Sequence, residues 1–247
     1  MAKRKFKYIY GPVSSWRLGR SLGIDVICRG KDRVCSFDCI YCQAGKTRIL
    51  SDRRKVFAPT REIIEEIKTL PPLKFDYITF SGAGEPTLAK NLGEIIKEIR
   101  KIRKAKIAVL TNSSIIDRKD VQRDLRLADF VIAKLDAHNH SLFTKINKPV
   151  KKIKFDNIVK GLKEFKSRYK GKFALQIMFV KENKRYAREI AHLACGIKPD
   201  EIQINTPLRP CEVTPLPKKE LDKIEGFFKG ITYVSVYKTG RKACCMT

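Results

Sequence analysis

Three cysteines, Cys35, Cys39 and Cys42, stand at C-x3-C-x2-C in the run Cys-Ser-Phe-Asp-Cys-Ile-Tyr-Cys. Three thiolates within eight residues can hold three corners of a cubane iron–sulfur cluster. A cluster held this way keeps one iron without a protein ligand, so a cofactor or substrate can bind the metal directly. A disulfide framework is the first alternative. The N-terminus, Met-Ala-Lys-Arg-Lys-Phe-Lys-Tyr-Ile-Tyr, carries charge but no apolar h-region follows it. No apolar run approaches the roughly 18 residues that span a bilayer. The expectation is therefore a cytoplasmic protein without a membrane partner, whose clustered thiols stay reduced and serve metal binding or chemistry. Zinc is the second alternative, with Cys39 and Cys42 as a C-x2-C pair and Cys35 as a third ligand. A structural zinc site usually adds a second C-x2-C or an H-x3-5-H pair, whereas His138 and His140 are spaced H-x-H.

The elements that must position these thiols are legible as alternating short apolar and amphipathic runs. At 247 residues and 43% hydrophobic, the chain can bury a sizeable core. Strands are expected at 22–27, 77–81, 107–111, 130–135, 173–179 and 201–205, apolar on successive residues as in parallel strands covered on both faces. Helical patterns fill 60–70, 92–103, 118–128, 156–169, 185–195 and 218–228. Thr60 after Pro59 reads as a helix start, and Asp156 as the cap of the helix that carries Ile158, Val159, Leu162 and Phe165. Six βα units predict an α/β fold, a partial (β/α)6 parallel barrel with its chemistry at the C-terminal strand ends. A doubly wound open sheet is the alternative. Residues 206–217 hold four prolines and predict an extended crossing segment. The reading is one domain over 1–247, with a basic N-terminal arm at 1–20.

Those strand ends carry polar residues. Ser81-Gly-Ala-Gly-Glu-Pro-Thr87 follows the second strand. Gly82 and Gly84 let backbone approach a ligand, and Glu85 offers a carboxylate to a cation. A dinucleotide G-x-G-x-x-G is only weakly matched, with Thr87 at the third glycine position and Pro86 before it. Read alone, the segment is also compatible with a glycine turn bearing a surface glutamate. Asn112, Lys134, Asp136 and Asn205 follow later strands, as ligand-rim or strand-terminating residues.

The charge is one-sided, with 53 Lys and Arg against 26 Asp and Glu and a net of +27. Thermophile surfaces enrich Glu together with Lys, and acids are not enriched here. Residues 145–172 alone carry eleven basic residues against Asp156 and Glu164, and Arg100–Lys106 forms a further cluster. Each could be a solvated helix face. Together they predict a nucleic-acid partner bound through phosphates.

The ordered set Gly11–Asp25, Cys39-Ile-Tyr-Cys-Gln43, Phe80–Thr87, Lys134-Leu-Asp-Ala137 and Gln203–Pro210 resembles the radical S-adenosylmethionine (SAM) superfamily. Within it the chain looks like the poorly characterised proteins grouped with wyosine-synthesis enzymes, which modify a guanine in transfer RNA. The likeness covers roughly residues 8–215. It implies a [4Fe–4S] cluster on Cys35, Cys39 and Cys42, with SAM on the open iron as the source of methionine and a 5′-deoxyadenosyl radical. It also implies SAM or substrate contacts from Gly82, Gly84, Glu85, Pro86, Asn112, Asp136 and Asn205, with Lys134 a further candidate. Tyr41 would pack near the adenine, and Glu85 would orient the SAM amino group. The implied partners are RNA, transfer RNA above all, and an electron donor such as ferredoxin or flavodoxin. The Gly-Ala-Gly-Glu-Pro run is one residue longer than the commonest form. The second cluster of archaeal wyosine enzymes uses cysteines ahead of the triad, where only Cys28 stands. Cys195 reads as a buried or incidental thiol, whereas Cys211, Cys244 and Cys245 could serve a second metal site. Trp16 could stack on a base or anchor its segment to the core. The competing functions are a radical enzyme acting on a protein, peptide or small molecule, and a non-catalytic zinc-stabilised nucleic-acid-binding protein.

Overall fold

The computed structural model describes residues 6–27 and 33–238. In chain order the strands and helices are β1 (Ile9–Ser15), β2 (Gly19–Ile24), β3 (Val34–Cys35), β4 (Ile49–Leu50), α1 (Thr60–Lys68), β5 (Tyr77–Phe80), α2 (Leu92–Ile102), β6 (Lys106–Thr111), α3 (Lys119–Leu125), β7 (Phe130–Lys134), α4 (His140–Asn147), α5 (Phe155–Arg168), β8 (Lys172–Met178), α6 (Ala187–Ile197), β9 (Glu201–Asn205), α7 (Lys218–Glu225) and β10 (Tyr233–Ser235). Eight strands form one sheet in the order β1-β2-β5-β6-β7-β8-β9-β10, parallel throughout except for the β1–β2 hairpin. The sheet curls into a half-barrel, the partial parallel barrel expected from the βα rhythm. β3 and β4 pair separately.

The strands are apolar on successive residues because both faces are covered. Ile107, Val109, Val131, Phe173, Leu175 and Ile177 pack under the helices in the main core. The alternate residues Ala108, Phe130, Ile132 and Ala174 form a second, concave-face cluster closed by Leu18 from the hairpin turn. The residues expected to form a basic arm are thus, from Ile9 onward, sheet and barrel floor. Trp16 packs partly buried against the core, its anchoring role. Among the described residues no helix is long and apolar enough to cross a membrane.

The differences from the expected boundaries have local causes. β2 stops at Ile24 because the Asp25 carboxylate accepts N–H bonds from Ile27 (3.0 Å) and Ala83 (2.9 Å), turning the chain out of the strand. α5 starts at Phe155 with Lys154 in the cap position, so Asp156 lies inside the first turn rather than capping it. There its charge still favours the helix N-terminus. α4 went unexpected, although Asn139 caps it by accepting from the Leu142 N–H at 2.9 Å. β1, β3, β4 and β10 are further additions, the last three of only two or three residues each.

Candidate active site

The cysteine loop is held by the end of a helix. The last carbonyls of α4 have no partner within the helix, and the loop supplies one. The N–H of Asp38 donates to the Asn147 carbonyl (3.1 Å) and the N–H of Ile40 to that of Ile146 (3.0 Å). The Phe37 ring meets Phe143 of α4 edge-on at 5.3 Å, and Phe143 meets Phe155 at 5.6 Å. Thr47 closes the loop from the other side, donating its N–H to Asp38 Oδ1 and its hydroxyl to the Phe37 carbonyl.

Each thiol of the triad faces a nitrogen donor from a different element. Asn112 Nδ2 lies 3.5 Å from Cys35 Sγ, Asn147 Nδ2 3.4 Å from Cys39 Sγ, and Arg33 Nη2 2.8 Å from Cys42 Sγ. Donors aimed at sulfur suit thiolate ligands, and such bonds help set the reduction potential of a cluster. As free thiols the buried pair resist ionisation. Burial, then the charge of Glu85, pushes Cys35 up to about 11, and burial pushes Cys39 up to about 12. Bound iron would reverse that preference, since a coordinating thiol is deprotonated outright. Among the described residues no group of three His, Cys, Asp or Glu side chains is already gathered around one metal position. The donor set, three thiols with amide and guanidinium N–H groups around them, fits a cubane.

The sequence-chosen residues form the wall around this loop. Glu85 is buried, its Oε1 accepting from the Thr87 N–H and hydroxyl and from the Thr111 hydroxyl, its Oε2 from the Asn112 N–H at 2.6 Å. Burial raises its pKa despite those bonds. The reading of Glu85 as a surface glutamate is therefore excluded. Pro86 begins the short 3-10 turn that follows it. Gly82 has φ 151°, and a Cβ there would sit 2.3 Å from the Asp25 carboxyl carbon. At Gly84 a Cβ would meet the Val34 carbonyl at 2.1 Å. Backbone approach is thus what both glycines permit, to neighbouring protein in each case.

Asp136 lies at the centre of a second network. Its Oδ2 accepts from the Tyr41 hydroxyl and from Asn147 Nδ2 (2.9 Å), its Oδ1 from the Met178 N–H (2.8 Å) and Lys134 Nζ (3.2 Å). Burial and the adjacent Asp136 push the Tyr41 phenol well above its ordinary value. Lys134 Nζ also stands 4.9 Å from the centre of the Tyr41 ring. Asn112 ties the Glu85 network to the cysteine loop, its Oδ1 accepting from the Ser114 N–H and its Nδ2 donating to Ser36. Asn205 lies apart at the end of β9, its Oδ1 accepting from the Thr206 N–H.

A cavity of about 150 Å3 opens beside the loop, lined by Cys39, Cys42, Lys46, Lys148, Cys211 and Glu212 among others. Cys211 therefore comes to the triad's own cavity, with its Sγ donating to the Val213 carbonyl at 3.2 Å. Cys195 is exposed on α6, against the expectation of burial. Cys28, Cys244 and Cys245 lie outside the described residues. Sequence reasoning missed Arg33 and Asn147. Asn147 had a signal in the capped pattern Asn139–Leu142–Phe143–Ile146, whereas Arg33 had none.

Comparison with known proteins bears on this geometry directly. The family description "Radical SAM superfamily" matches residues 33–194, which include the triad and the wall around it. The chain belongs to the radical SAM superfamily. It is 41% identical over 206 residues to the UPF0026 protein slr1464 of Synechocystis, covering 83% of this chain and 77% of that protein. It is 26% identical over 219 residues to a probable GTP 3′,8-cyclase of Saccharolobus islandicus, covering 85% of this chain and 65% of the relative. In fold it is similar to Streptococcus suis SuiB, solved with S-adenosylmethionine (TM-score 0.63, 14% identity, 83% of this chain) and with its precursor peptide SuiA (TM-score 0.65, 12% identity, 89% of this chain). The chain spans about half the length of SuiB. Its cofactors are a [4Fe–4S] cluster and SAM.

Proposed function

We propose that this radical SAM enzyme modifies RNA, and transfer RNA in particular, as the wyosine-like motifs imply. One observation carries the reading: basic side chains stand at the cysteine cavity itself. Lys46 and Lys148 line the cavity with Cys39 and Cys42, alongside the acids Asp38 and Glu212. Lys151, Lys152 and Lys154 follow Lys148 in the chain, and all four are exposed. Lys148 also holds a left-handed backbone (φ 42°) at the end of α4, a position that Gly or Asn fills more easily. A lysine kept there at conformational cost fits a phosphate contact.

In this reading Cys35, Cys39 and Cys42 hold the cluster, which together with SAM supplies a 5′-deoxyadenosyl radical and methionine. Asn112, Asn147 and Arg33 steady the sulfurs. Glu85, fixed by four donors, keeps one Oε2 lone pair for the SAM amino group, and the Gly82–Pro86 turn sets its position. Tyr41, held by Asp136, forms an apolar face for the adenine. Asp136 and Asn205 mark the substrate side. The protein acts in the cytoplasm and draws its electron from a ferredoxin or flavodoxin.

The test is SAM cleavage by anaerobically reconstituted protein with a strong reductant, with and without total transfer RNA. Stimulation by transfer RNA, a mass change in one nucleoside, and loss of stimulation in Lys148→Glu/Lys152→Glu are expected. A salt dependence of about one counterion per phosphate contact should accompany binding. Cleavage indifferent to RNA would overturn the substrate assignment. The probable GTP 3′,8-cyclase relative favours a second reading, the same radical chemistry on a free nucleotide. That reading expects stimulation by mononucleotides and none by transfer RNA.

A further inference from the structure

β4 runs directly behind the first cysteine of the triad. It pairs with β3 in parallel, Ile49 in register with Val34 and Leu50 with Cys35. The Ile49 N–H donates to the Arg33 carbonyl (3.0 Å) and the Ser51 N–H to the Cys35 carbonyl (2.9 Å). One strand spacing, about 4.8 Å, therefore separates the β4 backbone from that of a cluster ligand. Val34 and Cys35 are buried, whereas Ile49 is 42% and Leu50 46% exposed. Successive strand residues point to opposite faces, so among the described residues β4 is open on both. A lone exposed aliphatic needs no explanation. Two in succession, on the strand behind a cysteine ligand, are the kind of surface a passing partner buries.

The free charge along this segment is of one sign. Arg48 precedes the pair and Arg53 follows it, and Lys55 comes two residues later, joined to Lys90 by an N–H bond from Lys90 to its carbonyl at 2.8 Å. All four side chains are exposed, and among the described residues none has an ion-pair partner. The acid of the segment, Asp52, is neutralised by Arg118, with Nη2 3.0 Å from Oδ2. Asp38 faces the cavity side, where it accepts the Thr47 N–H at 2.8 Å. An aliphatic pair amid cations fits a protein whose contact surface is apolar at its centre and acidic around it. A phosphate backbone would match the cations and leave Ile49 and Leu50 uncovered. Basic surface also speeds encounter with an acidic partner, and a small apolar centre suits the small, short-lived interfaces of electron-transfer proteins.

We propose that the β4 segment, with Ile49 and Leu50 at its centre and Arg48, Arg53 and Lys55 around them, is the docking surface for an acidic electron-carrier protein that reduces the cluster. The proposal rests on the reading above that the electron comes from a ferredoxin or flavodoxin. The carrier is oxidised by one electron and the cluster reduced by one, with no atom exchanged between them.

The probe is flavodoxin, reduced by NADPH and its reductase and added to the cluster-loaded protein. Two quantities are measured: flavodoxin binding by calorimetry, and SAM cleavage driven by flavodoxin against cleavage driven by dithionite, a small reductant that needs no docking. Leu50→Glu and Arg48→Glu/Arg53→Glu should each weaken flavodoxin binding about tenfold or more and slow flavodoxin-driven cleavage as much. Iron content and dithionite-driven cleavage should match the wild type. Flavodoxin binding should weaken with salt in the wild type and respond far less in the charge-reversed variant. Arg48 and Arg53 lie off the β3–β4 pairing, so their variant tests the surface even where Leu50→Glu disturbs the cluster. Wild-type affinity and rate in both variants would overturn the docking surface and leave the donor reading intact. A wild type that dithionite activates but neither flavodoxin nor ferredoxin binds or reduces would overturn the donor reading, and the surface with it. Weakened transfer RNA binding in Arg48→Glu/Arg53→Glu, with flavodoxin binding unchanged, would assign this face to RNA and overturn the proposal.

Discussion

Arg54 supports the Glu85 turn from behind, and its removal gives a quantitative test of how this wall is built. Its Nε and Nη2 donate to the carbonyls of Thr87 and Ala89, both at 2.9 Å, just past Glu85. Nη2 also meets Asp124 Oδ2 at 2.5 Å and Nη1 meets Asp120 Oδ2 at 2.6 Å. The side chains of Arg54 and Asp124 are 8% and 10% exposed, so this pair is a buried one, whereas Asp120 at 45% contributes less. Arg54→Ala leaves the Asp124 carboxylate buried without its cation, which costs about 3–5 kcal/mol. For a chain of this size that is a fall in melting temperature of roughly 6–20 °C, measured by thermal denaturation at neutral pH. The pair Arg54→Met/Asp124→Leu should recover most of the loss, because the uncompensated charge is then gone. The difference between wild type and Arg54→Ala should also narrow in acid. Burial pulls the Asp120 pKa up, but the bonds and charge of Arg54 outweigh it and hold that carboxyl below its usual value. A depressed carboxylate stabilises above its unfolded pKa of about 3.8, and the contribution disappears as pH falls through the folded value. A change of under 2 °C at neutral pH, or a double variant no better than the single, would refute the reasoning.

Three further outcomes follow from named contacts. Gly93→Ala in the first turn of α2 would ordinarily gain helix stability, but its Cβ would stand 2.5 Å from Asp124 Oδ1, so a lower melting temperature is expected and a higher one counts against this packing. Gly84→Ala would drive a Cβ into the Val34 carbonyl, one residue before Cys35, and iron content after anaerobic reconstitution should fall severalfold while far-UV circular dichroism is retained. Asn147→Ala removes the N–H groups facing Cys39 and Asp136 at an expected cost of about 1–3 kcal/mol, and the cluster's reduction potential should move to more negative values in an EPR-monitored titration; an unchanged potential would show that Asn147 does not bond the cluster ligand.

The strongest sequence signals were those that depend on neighbours in the chain. The C-x3-C-x2-C run and the apolar strands from Tyr77 to Asn205 were readable because spacing and burial on both faces leave a continuous pattern. Glu85 was visible as a carboxylate but not as a buried one, since its partners Thr111 and Asn112 lie on a different strand. β1 escaped notice because Pro12 and the polar Ser14 and Ser15 interrupt any alternation, and antiparallel pairing with β2 supplies what propensity does not. Asn147 became a functional candidate through a contact 108 positions away, whereas Arg33 reaches Cys42 nine positions on only because the loop folds back. Nothing in local sequence marks an amide as aimed at a distant sulfur.

The pairing of polar groups distinguishes the carboxylates and amides around the cysteine loop. Along the cysteine loop Glu85, Asp136, Asn112 and Asn147 each have several protein partners, so their positions are fixed before any ligand arrives. Such preorganisation costs no rearrangement when a cofactor binds. Gln176 and Gln203, in register on β8 and β9, and Arg17 in the β1–β2 turn keep buried atoms without a protein partner, as does Arg33 Nη1 beside the cysteine loop. Each buried orphan costs on the order of 1–3 kcal/mol, a cost that a purely structural face would shed by carrying apolar residues, as the neighbouring Phe130 and Ile132 do. The cofactor wall is therefore built for rigidity, its side chains held by protein partners before any ligand binds.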